Sequence, residues 1–510
     1  MIPNVKTPPA FPILVFNQNY TQARPLGPYI KARFGWFWQV PGTATIQVKR
    51  DHPLADRLMQ CKRDVVPIRT VYNGKKWNGR VMHCEVEGVP GEEIVTATCI
   101  GDLFWLATIL CWVNPLFPPS VQVGLTGKQD IMFGPIDFVF KWFLARNSIR
   151  LGKPIHMRLP IDYSGPELPQ LDDLDSLDDI IDAISGLADD MCVINARFTR
   201  ADELFDTVLA DSERGMDMDM HVPALDGDSG QVFNTDTLGR LQNILDLSGD
   251  NFLYFTNPDN ILGLLDPDTW GKVTNPGLIF TTKRKRDRTH MIWRTDNGSI
   301  TSYKRGVSHP QGSTAIVGGK APEIANQLVE WGANLAIQFL LNMLIPGANL
   351  GTILVGDLFD DIFFAFQAFH DYELEADLGP FGFGEVFADN SGAWTLDALS
   401  VGMTKLKEIG PQESLKIEVR SGDPNGRGFS FGTIDDGRHF DIGDEMSFWD
   451  RGTIVQDYVS GVEVEDSRGE FCTEYVTIGD DRVVKDGWAK LVGQIGTLAA
   501  LSRAAAVATG

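Results

Sequence analysis

The stretch Thr43-Ala-Thr-Ile-Gln-Val-Lys49 sets Ala44, Ile46 and Val48 on one side of an extended chain and Thr45 and Gln47 on the other. Alternation of period two marks a strand with one face buried and one in water. The pattern continues on both sides. Residues 29–40 read as a preceding strand. Residues 65–72 and 77–87 flank Asn73-Gly74, a pair suited to a tight type I′ turn because both central residues take positive φ, so a hairpin is predicted. Residues 94–100 add a further strand. Between them Asp51-His-Pro-Leu-Ala-Asp-Arg-Leu-Met59 fits a short helix, with Asp51 or His52 near the cap and Pro53 in the first turn. Short strands around one small helix predict a barrel or half-closed sheet over 29–112. Residues 1–28, rich in Pro, Asn and Gln, predict an extended arm.

The Pro-rich Asn114-Pro-Leu-Phe-Pro-Pro119 marks a boundary, and residues 113–272 predict a mixed α/β intermediate domain. A helix is expected within 131–150, carrying Phe133, Phe138, Phe140, Trp142 and Phe143. Carboxylates at 172–182 suit the positive end of a helix dipole. Met216-Asp-Met-Asp-Met-His-Val222 alternates as a strand rather than a metal site. Two strands at 278–282 and 290–294 read as a hairpin. Its tip, Lys283-Arg-Lys-Arg-Asp-Arg288, would stand in water or meet an acidic neighbouring subunit. Strands at 415–419, 428–431, 446–449, 454–464 and 471–478 predict a second barrel built from 273–310 and 396–480. It would be interrupted by an insertion at 311–395 and followed by a C-terminal helix and tail at 481–510.

Residues 331–356 of that insertion hold no charged side chain. Pro346 removes a backbone donor and clashes with the preceding turn, so an apolar hairpin of two short arms is expected. Trp331, Leu335, Phe339, Met343, Leu344 and Ile345 belong to the first arm, and Ile353 and Leu354 to the second. Asn334, Gln338 and Asn342 recur every fourth residue as a polar ribbon, suited to setting register between helices. After the hairpin, Asp357, Asp360 and Asp361 open a predicted helix bearing Phe359, Ile362, Phe363, Phe366 and Phe369, and Gly and aromatics at 379–384 read as a loop. The first arm spans roughly 22 Å at about 1.5 Å per residue, less than the ~30 Å hydrocarbon core. Three roles remain open: an ordinary buried helix, contact along an oligomer axis, or contact with a membrane.

The chain of 510 residues has room for two to four domains, and its net charge of -23 opposes a nucleic-acid-coating role, which needs Lys and Arg to displace counterions. The first residues lack the apolar core of a signal peptide. Six widely spaced cysteines, without Cys-x-x-Cys, read as free thiols of a reducing cytoplasm. The eight histidines form no close pair, which leaves no His-Glu-x-x-His zinc helix. Gly227-Asp-Ser-Gly230 lacks the second Gly of a protease nucleophile loop. Gly318-Gly319-Lys320 lacks a phosphate loop's first Gly, and Gly379, Gly382 and Gly384 miss the dinucleotide spacing. No catalytic, cofactor or metal residue is assigned.

Short segments then point to a family. Asp51-His-Pro-Leu-Ala with Trp77-Asn-Gly-Arg80, Cys99-Ile-Gly-Asp-Leu-Phe-Trp-Leu106 with Trp112-Val-Asn-Pro115, Ile316-Val-Gly-Gly-Lys-Ala-Pro322, Asp360-Asp-Ile-Phe-Phe-Ala-Phe366 and Phe440-Asp-Ile-Gly-Asp444 occur in this order along the chain. Together they resemble the minor tail proteins, or baseplate hubs, of long-tailed bacteriophages infecting mycobacteria and relatives. The resemblance implies two small β-barrel hub domains per subunit. With the mixed/helical intermediate domain and the apolar helical hairpin insertion read above, the latter outside the generic hub core, the expected fold is α+β. It implies a homotrimer at the virion tail tip, made in the host cytoplasm. A distal tail protein or the tail tube would lie above it and other minor tail proteins below. Tape-measure protein would occupy its lumen, and DNA would pass without sequence recognition. The host membrane is a further possible contact of the hairpin. The alternatives are a tail-associated cell-wall hydrolase and a carbohydrate-binding tip module.

Overall fold

The computed structural model describes residues 10–115, 118–120, 122, 130–162, 191–209, 212, 214–235, 264, 270–298, 300–318, 366–389, 410–420, 428–434, 436–468 and 472–479. The first strands are β1 (Leu14–Phe16), β2 (Ala23–Pro25), β3 (Lys31–Phe37), β4 (Thr43–Lys49), β5 (Pro67–Tyr72), β6 (Lys75–Glu87) and β7 (Ile94–Gly101). They hydrogen-bond in the order β3-β4-β7-β6-β5-β1-β2. On β4 the alternation is realised: Ala44, Ile46 and Val48 are buried. Asn73 and Gly74 take φ of 44° and 82°, and β5 and β6 pair antiparallel across them as predicted. Of the extended arm expected over residues 1–28, residues 10–28 are described: β1 pairs with both β2 and β5, and Phe11, Ile13, Val15 and Leu26 enter the core. One expectation is corrected here. The short helix α1 (Ala55–Met59) starts later than its cap signals imply. His52 closes a turn of its own first: its Nδ1 accepts the Leu54 N–H at 3.1 Å and its carbonyl accepts the Ala55 N–H at 2.9 Å.

The intermediate region contains β8 (Leu110–Cys111), β9 (Asp130–Pro135), α2 (Ile136–Leu151), β10 (Ile155–Arg158), β11 (Met191–Ala196), β12 (Thr199–Arg200), α3 (Ala201–Leu209), β13 (Arg214–His221), β14 (Val232–Phe233) and β15 (Gly277–Arg284). One sheet runs β13-β15-β10-β14. The aromatic helix expected within 131–150 is α2, but Phe133, expected on it, lies in β9 paired against β11. Residues 136–148 are buried on every face, Asp137, Lys141, Arg146, Asn147 and Ser148 included, so the helix's polar groups must find partners inside the protein. Phe140 stacks on Phe205 of α3 with centroids 4.0 Å apart. A fully buried Lys141–Asp137 pair at 2.5 Å is tied to the sheet by Thr282, whose hydroxyl donates to Asp137 at 2.8 Å.

The remaining elements are β16 (Arg286–Arg294), β17 (Ile300–Ser308), β18 (Thr314–Gly318), β19 (Phe366–His370), α4 (Tyr372–Leu378), β20 (Glu385–Asp389), β21 (Gln412–Arg420), β22 (Ser430–Phe431), β23 (His439–Phe440), β24 (Asp444–Asp450), β25 (Thr453–Ser467) and β26 (Thr473–Ile478). The hairpin predicted around 283–288 does not form. β15 pairs with β10 and β13, whereas β16 pairs in parallel with β24. The basic run therefore passes from one sheet to another, and opposite charges line its route: Lys283 reaches Asp217 at 2.9 Å, Arg284 Asp162 at 3.1 Å, and Arg286 Asp444 at 2.6 Å. The helix expected through Phe366 and Phe369 is also corrected. Residues 366–370 form β19, antiparallel to β18, since a short Phe-rich run suits either periodicity and pairing decides. The other calls on 172–182, 331–365 and 488–510 lie outside the described residues.

β25 joins the two strand-rich regions. Its first half pairs with β24, and its second half lies between β26 and β3. Thirteen described strands consequently share one sheet. A single core cluster extends from Phe11 through Phe34 and Trp77 to Trp293, Phe440 and Val476. The architecture is strand-dominated α+β.

Candidate functional site

Beneath the first sheet lies a cleft of about 260 Å³ where all three regions meet. β6 leaves the Asn73-Gly74 turn carrying Lys75, Lys76, Trp77 and Asn78 into its wall. β13 faces it with Asp217 and Asp219, while Met216, Met218 and Met220 are buried. The sequence alternation thus separates an apolar face from an acidic one. Asp102 follows β7, and the pairing of Gly79 with Gly101 sets Asn78 and Asp102 side by side across the ladder. Lys283 of β15 and Ile442, between β23 and β24, complete the walls.

Charges in and around this cleft are matched across regional boundaries. Lys75 holds Asp441 at 2.8 Å and Lys76 holds Asp226 at 2.5 Å, while Lys283 holds Asp217 within the intermediate sheet. Arg69 grips Asp226 with both terminal nitrogens, one of them at 2.8 Å, and Asn78 donates to Asp219. Burial opposes charge on Asp226, but the bonds from Arg69 and Lys76 outweigh it and hold the carboxyl well below its usual range. Burial likewise works against Asp217, whose pKa is nevertheless lowered by Lys283 and Lys75. Asp102 behaves differently. Burial pushes it up to about 7, against only a partial counter-effect from Arg80, whose guanidinium stops 3.8 Å away. Enclosure, reinforced by Asp217, pushes Asp219 up to about 6.

Both Asp102 carboxylate oxygens, Asn78 Oδ1, Tyr20 Oη and Trp105 Nε1 are buried without a hydrogen-bond partner among the described residues. Polar groups left this way weaken the fold around them. The cleft therefore combines strong ion pairs that clamp the regions together with one poorly compensated carboxyl group. The described residues that line it include no Ser, Thr, Cys or His. Among the described residues no group of three or more His, Cys, Asp or Glu side chains is placed to hold a metal.

Of the residues singled out for oligomer-axis or membrane contact, Phe366 alone is described, and it is not among those lining this cleft. Trp331, Asn334, Leu335, Gln338, Phe339, Asn342, Met343, Leu344, Ile345, Ile353, Leu354, Phe359 and Phe363 lie outside the described residues, and Phe366 opens β19. No described helix is long and apolar enough to cross a membrane. Sequence reasoning identified the β13 strand and the β5–β6 hairpin but not their meeting. The available signal was the acidic face of Met216-Asp-Met-Asp-Met220 beside the paired Lys75-Lys76.

The 43 kDa tail protein of prophage MuSo2 from Shewanella oneidensis shares 8% identity at a TM-score of 0.44, over 93% of this chain and 99% of its own. Prophage tail protein gp18 from Listeria monocytogenes EGD-e shares 8% at 0.42, over 92% and 95%. The tail protein from Neisseria meningitidis MC58 shares 8% at 0.40, over 95% and 99%. No curated protein matches the sequence. The family model described as "Siphovirus ReqiPepy6 Gp37-like protein" matches residues 12–480, which meets the expectation of a long-tailed phage family. The chain belongs to the Siphovirus ReqiPepy6 Gp37-like protein family.

Proposed function

We propose that this protein is a structural subunit of the phage tail tip, a homotrimeric baseplate hub without enzymatic activity. In this reading two β-barrels per subunit close a ring that joins the tail tube or distal tail protein to other minor tail proteins. Tape-measure protein and DNA pass through its lumen. The observation that carries the reading is the β3–β25 ladder, which ties the beginning and end of the described chain into one sheet. A body braced in this way transmits load between neighbours. The net charge of -23 repels passing DNA and discourages sticking.

The charge-free segment 331–356 braces the threefold axis in this proposal, with Asn334, Gln338 and Asn342 bonding across subunits. Membrane contact is the second role that its apolar composition favours. Light scattering of the purified chain and a reconstruction of intact tail tips test the hub. A trimer located at the tip is expected, and a stable monomer absent from tails would overturn it. Clearing of cell wall in zymograms would instead support the hydrolase alternative.

A further inference from the structure

Residues 366–389 contain six carboxylates and no Lys or Arg. They form a tip on the three-stranded sheet β19-β18-β20. Three aromatic side chains project there into solvent: Phe381 is 95% exposed, Tyr372 74% and Phe383 62%. Exposed carboxylates at Glu373, Glu375, Asp377 and Glu385 accompany them. The tip is held in place from below. Asp371 caps α4 by accepting the Leu374 N–H at 2.9 Å, and its own N–H donates to the Ser313 carbonyl at 2.9 Å. The Ser313 and Thr314 N–H groups both donate to the Gly384 carbonyl at 3.1 Å. Tyr372 stacks on His370, and Phe383 meets His309 edge-on.

Elsewhere this protein repeatedly combines an aromatic ring, a carboxylate and a cation. Arg294 lies over Trp449 at 4.5 Å and pairs with Asp296 at 2.8 Å. Arg146 lies over Trp142 at 4.0 Å and pairs with Asp130 at 2.7 Å. Arg33 lies over Tyr475 at 5.2 Å and pairs with Glu463 at 2.7 Å. The tip supplies rings and carboxylates in its own sequence but no cation. An arginine from outside would satisfy both, stacking on a ring while its fork engages a carboxylate.

We propose that the tip formed by Tyr372, Phe381, Phe383 and the carboxylates Glu373 and Glu375 docks a partner protein through a segment that alternates arginine with apolar side chains. The apolar residues cover the exposed rings, which carry most of the affinity, and the arginines give orientation and salt dependence. The inference does not rest on the hub reading, because a single subunit contains the whole surface.

The test is fluorescence anisotropy on the full chain with a dye-labelled octapeptide alternating Arg and Leu. Peptides alternating Arg with Ser and Glu with Leu serve as controls. Saturable binding of the Arg-Leu peptide is expected, weakening with added salt. Phe381→Ser with Phe383→Ser, and separately Glu373→Gln with Glu375→Gln, should each weaken it by about tenfold or more, as should either control peptide. These exposed positions leave the thermal transition unchanged, which scanning fluorimetry verifies. Absence of saturable binding, or equal binding by the variants through the chain's overall negative charge, would overturn the proposal. So would preferential binding of soluble peptidoglycan fragments that the Phe substitutions abolish.

Discussion

Trp38 and Gly443 are packed so closely that a Cβ on the glycine would come within 2.1 Å of the indole ring. Trp38 follows β3, and Gly443 precedes β24. Gly215, on β13 of the intermediate sheet, backs onto the same ring, its notional Cβ 2.5 Å away. Tyr458 of β25 stands 6.0 Å from it, centroid to centroid. One buried side chain thus marks where the three regions are keyed together, and both glycines permit the approach.

Gly443 also has φ of 88°, a region that L side chains enter at a cost. Gly443→Ala should therefore lose about 2–4 kcal/mol through strain and overlap combined. Gly437 has φ of 72° but nothing near its missing Cβ, so Gly437→Ala should cost only about 1 kcal/mol. Thermal denaturation of both variants compares them. Equal losses would mean that the Trp38 contact is not tight.

Stability of the seam should fall as pH rises from about 4 to 7. Asp102 and Asp219 hold their protons up to about pH 7 and about 6 when folded, whereas an unfolded Asp releases its proton near pH ~3.9. The contribution is complete below the unfolded value and is lost as pH rises through the folded ones. Asp217 and Asp226, with lowered pKa, act oppositely and only in acid. Melting temperatures of wild type and Asp102→Asn across this range should converge at low pH and separate progressively towards neutrality, the variant being the more stable there. Parallel curves would rule out Asp102 as the source.

Removing the charge of Asp226 should be costly. Arg69 and Asp226 have side chains only 6% and 3% exposed, so Asp226→Asn leaves a buried guanidinium without its counter-charge. About 3–5 kcal/mol is expected, read as a lower urea midpoint. Arg69→Met combined with Asp226→Leu should lose less than the single change, because no buried charge is then stranded. A larger loss in the double variant would refute this account.

The Asn73-Gly74 turn has a second role beyond closing its hairpin. Asn73 Nδ2 donates to the Phe431 carbonyl at 2.9 Å and to Ser430 Oγ at 3.2 Å, docking the first sheet on the last region. Asn73→Gly keeps the positive φ and should lose about 1 kcal/mol with those bonds. Asn73→Ala adds backbone strain and should lose about 1 kcal/mol more. Differential denaturation of the two variants separates docking from turn geometry. Identical melting would show that the backbone conformation costs alanine nothing.

Local chemistry made several elements legible. The turn pair Asn73-Gly74 demands positive φ, the alternation at 43–49 demands one buried face, and Met216-Asp-Met-Asp-Met220 separates its methionines from its aspartates. The basic run at 283–288 misled because five cations near a turn suit water equally well. Only the positions of Asp217, Asp162 and Asp444, each remote in sequence, reveal a charged route between sheets. The cleft was hidden for the same reason: Asp102 is an unremarkable carboxylate until Gly79 pairs with Gly101 and burial raises its pKa.

By itself the sequence determined which residues turn inward, where the chain reverses tightly, and which phage family it joins, because periodicity, turn stereochemistry and ordered short segments are carried by neighbouring residues. Tertiary structure alone decided which faces meet. Arg33 finds Glu463 at 2.7 Å from 430 residues away, and a strand's pattern states that one face must be buried without stating against what.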